Sequence, residues 1–121
     1  MAEHIMKLHP GPFAKIKDGS KTIELRLYDE KRKRISIGDT IRFVNTADTA
    51  DTADTADAVV VRVRDLFMFD SFDELYKHLP LTECGYTEED VYAASPDDME
   101  MYYSKEKQSQ YGVVGIQLSL M

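Results

Sequence analysis

The stretch GSKTIELRLYD, Gly19–Asp29, decides how the rest of the chain is read. Ile23, Leu25 and Leu27 alternate with Thr22, Glu24, Arg26 and Tyr28, and strict alternation over this length marks a β-strand with one face covered. The apolar residues face a core, and the polar ones face a groove or solvent. Lys21, Glu24 and Arg26 put charges of both signs where a plain strand needs none. Two cations and one carboxylate suit the task of holding a phosphate or carbonyl while accepting a donor edge such as an exocyclic amine. Standing in water, the same three side chains form an ordinary surface ion pair that contributes little. Spacing alone leaves both readings open.

Upstream, Ile5, Met6 and Leu8 form a short strand that turns at His9-Pro10-Gly11-Pro12. A short helix comes next, with Pro12 in its first turn, Phe13 and Ile16 three apart, and Gly19 closing it. Downstream, a charged turn leads to Ile35 and Ile37, Gly38-Asp39 makes a second turn, and Thr40–Val44 is a strand. Residues 46–57 are four copies of the triplet Thr-Ala-Asp. A period of three fits neither a strand nor an amphipathic helix, and small polar residues bury too little to offset ordering entropy. The repeat reads as a flexible loop between two strands; the alternative is a ligand or metal array of Asp48, Asp51, Asp54 and Asp57.

AVVVRVRDLFMF, residues 58–69, is a long strand in which Val59, Val61 and Val63 alternate with Val60, Arg62 and Arg64. Ser71 and Glu74 form a capping box for a helix ended by Pro80. Thr87 with Asp90, and Ser95-Pro96 with Asp98, start two further short helices. YGVVGIQLSLM closes the chain as a strand with Val114, Ile116, Leu118 and Leu120 on one face. This order predicts an α+β fold: a small mixed β-sheet or barrel with short flanking helices, as one domain spanning residues 1–121.

The composition narrows the function. With 121 residues and 43% hydrophobic content the chain suits one globular core, and no apolar run approaches the roughly 20 residues of a membrane span. The amino terminus lacks the basic-then-apolar pattern of a signal peptide, so a cytoplasmic protein without a membrane partner is expected. One cysteine, Cys84, excludes an internal disulfide and a thiolate metal site. Cys84 with His78 as nucleophile and base is an alternative to a bystander thiol. No metal or other cofactor is expected. The net charge of −7 is uneven: residues 1–44 carry 10 Lys and Arg against 6 Asp and Glu, and residues 45–121 carry 5 against 16. An anion-binding surface near the opening motif is therefore compatible with an acidic protein. Arg32, Lys33 and Arg34 would add a phosphate-binding edge at the mouth of such a site, with Lys31 solvated. Tyr28 on the polar strand face is the candidate for stacking on a base, with Tyr102, Tyr103 and Tyr111 as further aromatic surfaces.

The pattern Gly-x-Lys-x-x-Glu-x-Arg, carried by Gly19, Lys21, Glu24 and Arg26, resembles the signature of the ASCH domain, within the PUA-like barrel superfamily. The strand, Pro-rich turn and helix before it, GDTIRF after it and YGVVGIQL at the end extend the resemblance over nearly the whole chain outside the triplet repeat. It implies a β-barrel whose cleft binds RNA or a modified nucleotide through Lys21, Thr22, Glu24 and Arg26. Some ASCH proteins are amidohydrolases that remove the acetyl group of N4-acetylcytidine with a Lys-Thr-Ile-Thr motif and a distant glutamate. Lys21, Thr22 and Ile23 match that motif, and Glu24 stands where the second threonine would be. An enzyme built this way would use Glu24 as general base on water and Lys21 to stabilise the oxyanion. Glu83 and Glu74 are the candidates for the distant glutamate. A third reading is a protein–protein module whose acidic later part meets a basic partner.

Overall fold

The computed structural model describes residues 1–47 and 57–121. Its sheet has five strands, β1 (Glu3–Leu8), β2 (Ile23–Leu27), β3 (Thr40–Asn45), β4 (Ala58–Phe69) and β5 (Val113–Leu120), in the order β1-β3-β4-β5-β2. β1 pairs with β3 in parallel and the other neighbours are antiparallel, with a register shift in β4 between Val63 and Asp65. The sheet curls into a half-barrel whose edge strands are β1 and β2. Helices α1 (Pro10–Asp18), α2 (Phe72–His78) and α3 (Lys105–Tyr111) pack around it.

Because β1 and β2 lie at opposite edges, α1 must carry the chain from one to the other across the open side of the curl. It does so as a plug: Phe13 and Ile16 are buried with Met6, Leu8, Ile41, Phe43, Val61, Val63 and Ile116 in an inner core. Gly19 ends α1 in the left-handed conformation, φ 87°, and its N–H donates to Ile16 O at 3.1 Å. A glycine adopts that conformation without the Cβ penalty, so the chain turns straight into the Lys21 segment.

The expected apolar face of β2 is buried, against the outer side of the sheet. Ile23, Leu25 and Leu27 form a second core with Phe72 and Leu75 of α2 and with Val113. The polar face of β2 consequently points to the inner side of the curl, where Tyr28 packs on the inner core. β5 is covered on both faces: Val114, Ile116 and Leu118 face inward and Val113 outward, while Leu120 at the strand end is exposed. A single-faced reading of β5 misses this, because α2 supplies the second cover from a distant part of the chain.

The capping signals are met in part. Ser71 caps α2 by accepting from the Glu74 N–H, but the expected box is only half formed because the Glu74 carboxylate turns to Lys77 and His78; Ser95 with Asp98 forms a full capping box. Thr87 and Asp90 bond reciprocally through backbone and side chain. Ser95 opens the 3-10 segment Pro96–Met101, and the Thr87–Asp90 turn precedes another, Val91–Ala93, in place of the expected α-helices. α3 is an additional helix, capped by Ser104 accepting from the Lys107 N–H and ended at Gly112. Of the triplet repeat, residues 48–56 lie outside the described residues. No helix of the described residues is long and apolar enough to cross a membrane.

The Gly38-Asp39 turn ties the amino terminus to the sheet. Asp39 accepts from His4 Nε2 at 2.9 Å, Ser36 N at 2.9 Å and Ala2 N at 3.1 Å. The His4 bond, together with the two backbone donors, lowers its carboxyl from 3.8 to about 2. A depressed carboxyl contributes stability that is complete above the unfolded value and is lost as pH falls through the folded one. Asp39→Asn is therefore expected to lower the melting temperature at neutral pH and to flatten the loss of stability between about pH 4 and pH 2, read by thermal melts across that range.

Candidate ligand cleft

Strand β2 positions Glu24 and Arg26 at the seam between the sheet edges, and the turn from α1 brings Lys21 beside them, its N–H donating to Lys15 O at 3.0 Å. Glu24 is only 3% exposed, and both its oxygens are engaged: Oε1 by Lys21 Nζ at 2.7 Å and Oε2 by Arg26 Nε at 2.8 Å. Arg26 also reaches across the gap between the edge strands, donating from a terminal guanidinium nitrogen to Lys7 O of β1 at 2.9 Å. The ladder that would join β1 to β2 is absent, and an arginine side chain spans the opening instead. These contacts exclude the reading of a solvated surface pair, since Lys21 is 9% exposed and the Arg26 side chain 12%.

Burial pushes the Glu24 carboxyl upward, but Lys21 and then Arg26 more than reverse this, so it lies below its ordinary value. Burial likewise opposes the charge on Arg26, and Glu24 more than restores it. Glu24 is thus a carboxylate held between cations. In this role it orients Lys21 and Arg26.

Lys21, Glu24 and Arg26 line a cleft of about 500 Å³. One wall comes from the end of β1, the start of α1 and β2, and carries Lys7, His9 and Lys15 besides the motif cations. The other comes from α2 and the irregular segment after it, with Tyr76, Tyr86, Asp90, Asp98, Tyr102 and Tyr103. Lys15 Nζ donates to Gly85 O at 2.6 Å, tying the two walls together. Gly85 has φ 112°, and a Cβ there would lie 3.4 Å from Lys21 Cδ, so glycine lets this loop rest on the lysine stem.

Several residues singled out in the sequence lie elsewhere. Thr22 donates its hydroxyl to Glu83 Oε1 at 2.9 Å, beside the motif and outside the cleft lining. Glu74 gives its backbone N–H to the capping Ser71 hydroxyl and its carboxylate pairs with Lys77 and His78, away from the cleft. Tyr28 lines a different surface depression with Tyr111 and lies under Lys33, whose Nζ is 5.9 Å from the ring centre. Arg32 pairs with Asp29 at 3.0 Å, Lys33 with Glu30 at 3.6 Å, and none of Lys31, Arg32, Lys33 and Arg34 lines the cleft. The charged turn folds back on its own acids because a 3-10 turn at Arg32–Arg34 brings residues three apart together. Tyr102 and Tyr103 do line the cleft.

Cys84 lines the cleft too, but its thiol donates to Pro80 O at 3.5 Å and is pushed up to about 12 by burial. His78 is stacked on Phe69 at 5.7 Å and paired with Glu74, so it is no base for Cys84. Among the described residues, no group of three or more His, Cys, Asp or Glu is placed to hold a metal.

Fold and site together define a small half-barrel protein with a two-sided cleft at its open seam, cationic on the sheet side and tyrosine-rich on the other. The chain belongs to the ASCH domain family, whose model matches residues 6–121. A comparison with curated proteins gave no match. Among solved structures, the hypothetical protein PH0355 is similar, with a TM-score of 0.77, 27% identity and full coverage of both chains. Protein PF0455 from Pyrococcus furiosus has a TM-score of 0.72 and 29% identity over 98% of this chain and 97% of that one. A mutant ASCH protein from Zymomonas mobilis shares the fold alone, with a TM-score of 0.61 and 14% identity over 97% of this chain and 67% of that one.

Proposed function

We propose that this ASCH domain binds a nucleotide, free or within single-stranded RNA, in the cleft beside Lys21, Glu24 and Arg26. The observation that carries the reading is the ion triad, buried yet lining a cleft of about 500 Å³ opposite a wall of tyrosines. That volume lies in the range of small-ligand sites, a few hundred to about a thousand Å³. Buried cations prepared by a carboxylate hold an anionic or carbonyl group without reorganising, and tyrosine rings offer apolar faces to a base. Lys7 and Lys15 on the same wall extend the positive surface for a phosphate.

The arrangement favours binding over hydrolysis of an acylated base by Glu24. A general base needs to reach its water and to have a pKa near the working pH, whereas Glu24 is almost wholly buried between two cations and has a lowered pKa. Lys21→Ala is expected to weaken binding of a short fluorescent single-stranded RNA at least tenfold, about 1.4 kcal/mol by the standard conversion. Tyr102→Ala, at a half-exposed position of the cleft wall, tests the same site without touching the buried triad, and about a tenfold loss is expected from one base-stacking contact. Fluorescence anisotropy at fixed moderate salt reads both, with mass spectrometry of N4-acetylcytidine in parallel. Unchanged affinity in both variants would sink the binding reading, and turnover by the wild type alone would make the protein a hydrolase.

A further inference from the structure

The tyrosine wall contains a hydrogen-bond chain whose direction is set by the number of protons available. Tyr86 donates its hydroxyl proton to Asp98 Oδ2 at 2.7 Å. Tyr76 and Tyr86 are joined hydroxyl to hydroxyl at 2.8 Å. A phenol carries one proton, and an ionised carboxylate only accepts. With its proton committed to Asp98, Tyr86 must accept from Tyr76. The Tyr76 oxygen has then given away its own proton and retains only lone pairs. Successive hydrogen bonds ending on a carboxylate polarise one another, which strengthens the acceptor at the head of the chain. Burial foremost raises the hydroxyl pKa of Tyr76 and of Tyr86, so both phenols keep their protons and the polarity persists at neutral pH.

Tyr76, Tyr86 and Asp98 all line the cleft that also contains Lys21. The two walls therefore have opposite, fixed polarity: an ammonium donor on the sheet side and a phenol acceptor on the helix side. Glu24 is a poor acceptor for a ligand amine, because it is almost wholly buried and each of its oxygens already binds a cation. We propose that Tyr76 is the specificity-determining acceptor of the cleft, which selects a base bearing an exocyclic amino group next to a ring-nitrogen acceptor, as in cytosine and adenine. The amino group meets Tyr76 and the ring nitrogen meets Lys21. In the same pose uracil or hypoxanthine places a carbonyl against the Tyr76 lone pairs and an N–H against the ammonium, two mismatches at once. Tyr86 and Asp98 are positioning residues that act through Tyr76. This inference rests on the nucleotide-binding reading.

The test compares short single-stranded homo-oligomers of cytidine and uridine, and of adenosine and inosine, by anisotropy against wild type, Tyr76→Phe and Tyr86→Phe. Wild type is expected to prefer the amino member of each pair by about tenfold or more, the scale of one well-made base-edge pair. Tyr76→Phe keeps the ring and its edge contact with Phe72 and brings the preference close to one. Tyr86→Phe frees the Tyr76 proton, so Tyr76 both donates and accepts, and the preference shrinks while the amino oligomers still bind. A merely structural role for either tyrosine would weaken both members of a pair equally and leave their ratio unchanged, which would overturn the proposal. Equal binding of amino and keto oligomers by wild type would also overturn it and leave nucleotide binding standing. Absence of binding to all four oligomers would overturn both.

Discussion

Replacing Glu24 by leucine is expected to lower the unfolding free energy by about 3–5 kcal/mol, the cost of leaving buried charges without their partner. Lys21 and Arg26 are both largely shielded from water, and Glu24 supplies their counter-charge. The decrease is read as a lower denaturant midpoint at an unchanged slope. A loss under about 1 kcal/mol would place the triad among exposed pairs and contradict its burial. Adding Lys21→Met to the leucine variant removes one of the stranded cations and is expected to recover part of the loss. The pH dependence stems from the lowered carboxyl. Stability contributed by Glu24 is complete above its ordinary 4.5 and is lost as pH falls through the lower folded value, so the leucine variant loses less on acidification than the wild type.

The second large effect is expected at Phe72, which is fully buried between α2 and the outer face of the sheet. Phe72→Ala removes a large core side chain and is expected to cost about 3–5 kcal/mol. It also reaches the cleft. Phe72 stacks on Tyr103 at 6.1 Å and meets Tyr76 edge-on at 6.5 Å, and both tyrosines are part of the cleft wall. RNA affinity should therefore fall even at temperatures where the variant remains folded, as compared by calorimetry and anisotropy on the same sample. Phe43→Ala, in the inner core and remote from the tyrosines, is expected to lower stability similarly with a smaller effect on affinity.

The relation between these two sites explains how the cleft is held. Its cationic wall is fixed by the barrel seam, where Arg26 connects β2 to Lys7 of β1. Its tyrosine wall is fixed by α2 and the loops after it. Lys15 joins the two by donating to Gly85 O. The Gly85 loop also rests on the Lys21 stem, so melting curves of the Lys21 and Tyr76 variants are needed to separate effects on binding from effects on folding.

Much of the strand pattern was legible because alternation reports burial locally. Ile23, Leu25 and Leu27, Val61 and Val63, and Val114, Ile116 and Leu118 are all buried as their periodicity predicts. Ser71 and Ser95 were equally legible, since a cap is satisfied within one turn. α3 was missed, although Ser104 and Gly112 carry the ordinary start and stop signals, because KEKQSQY has no apolar stripe to frame them. Lys21, Glu24 and Arg26 stood out as charges on a strand. Lys15, Tyr76, Tyr86 and Asp98 did not, because nothing in their spacing relates α1 or α2 to β2.

By itself the sequence determined the alternating strands, the helix caps and the membership carried by Gly19, Lys21, Glu24 and Arg26, since each depends on residues a few positions apart. Only the tertiary structure decided which way the polar face of β2 points. α2 covers the apolar face, so Glu24 and Arg26 turn inward to the seam, and a face that alternation allows to be wet becomes a buried ion triad. Tertiary structure also separated Tyr28 and the Arg32–Arg34 turn from the cleft and joined Tyr76, Tyr86 and Asp98 into one directed chain. Burial and proton direction depend on partners brought together from distant positions, and local periodicity contains no information about those partners.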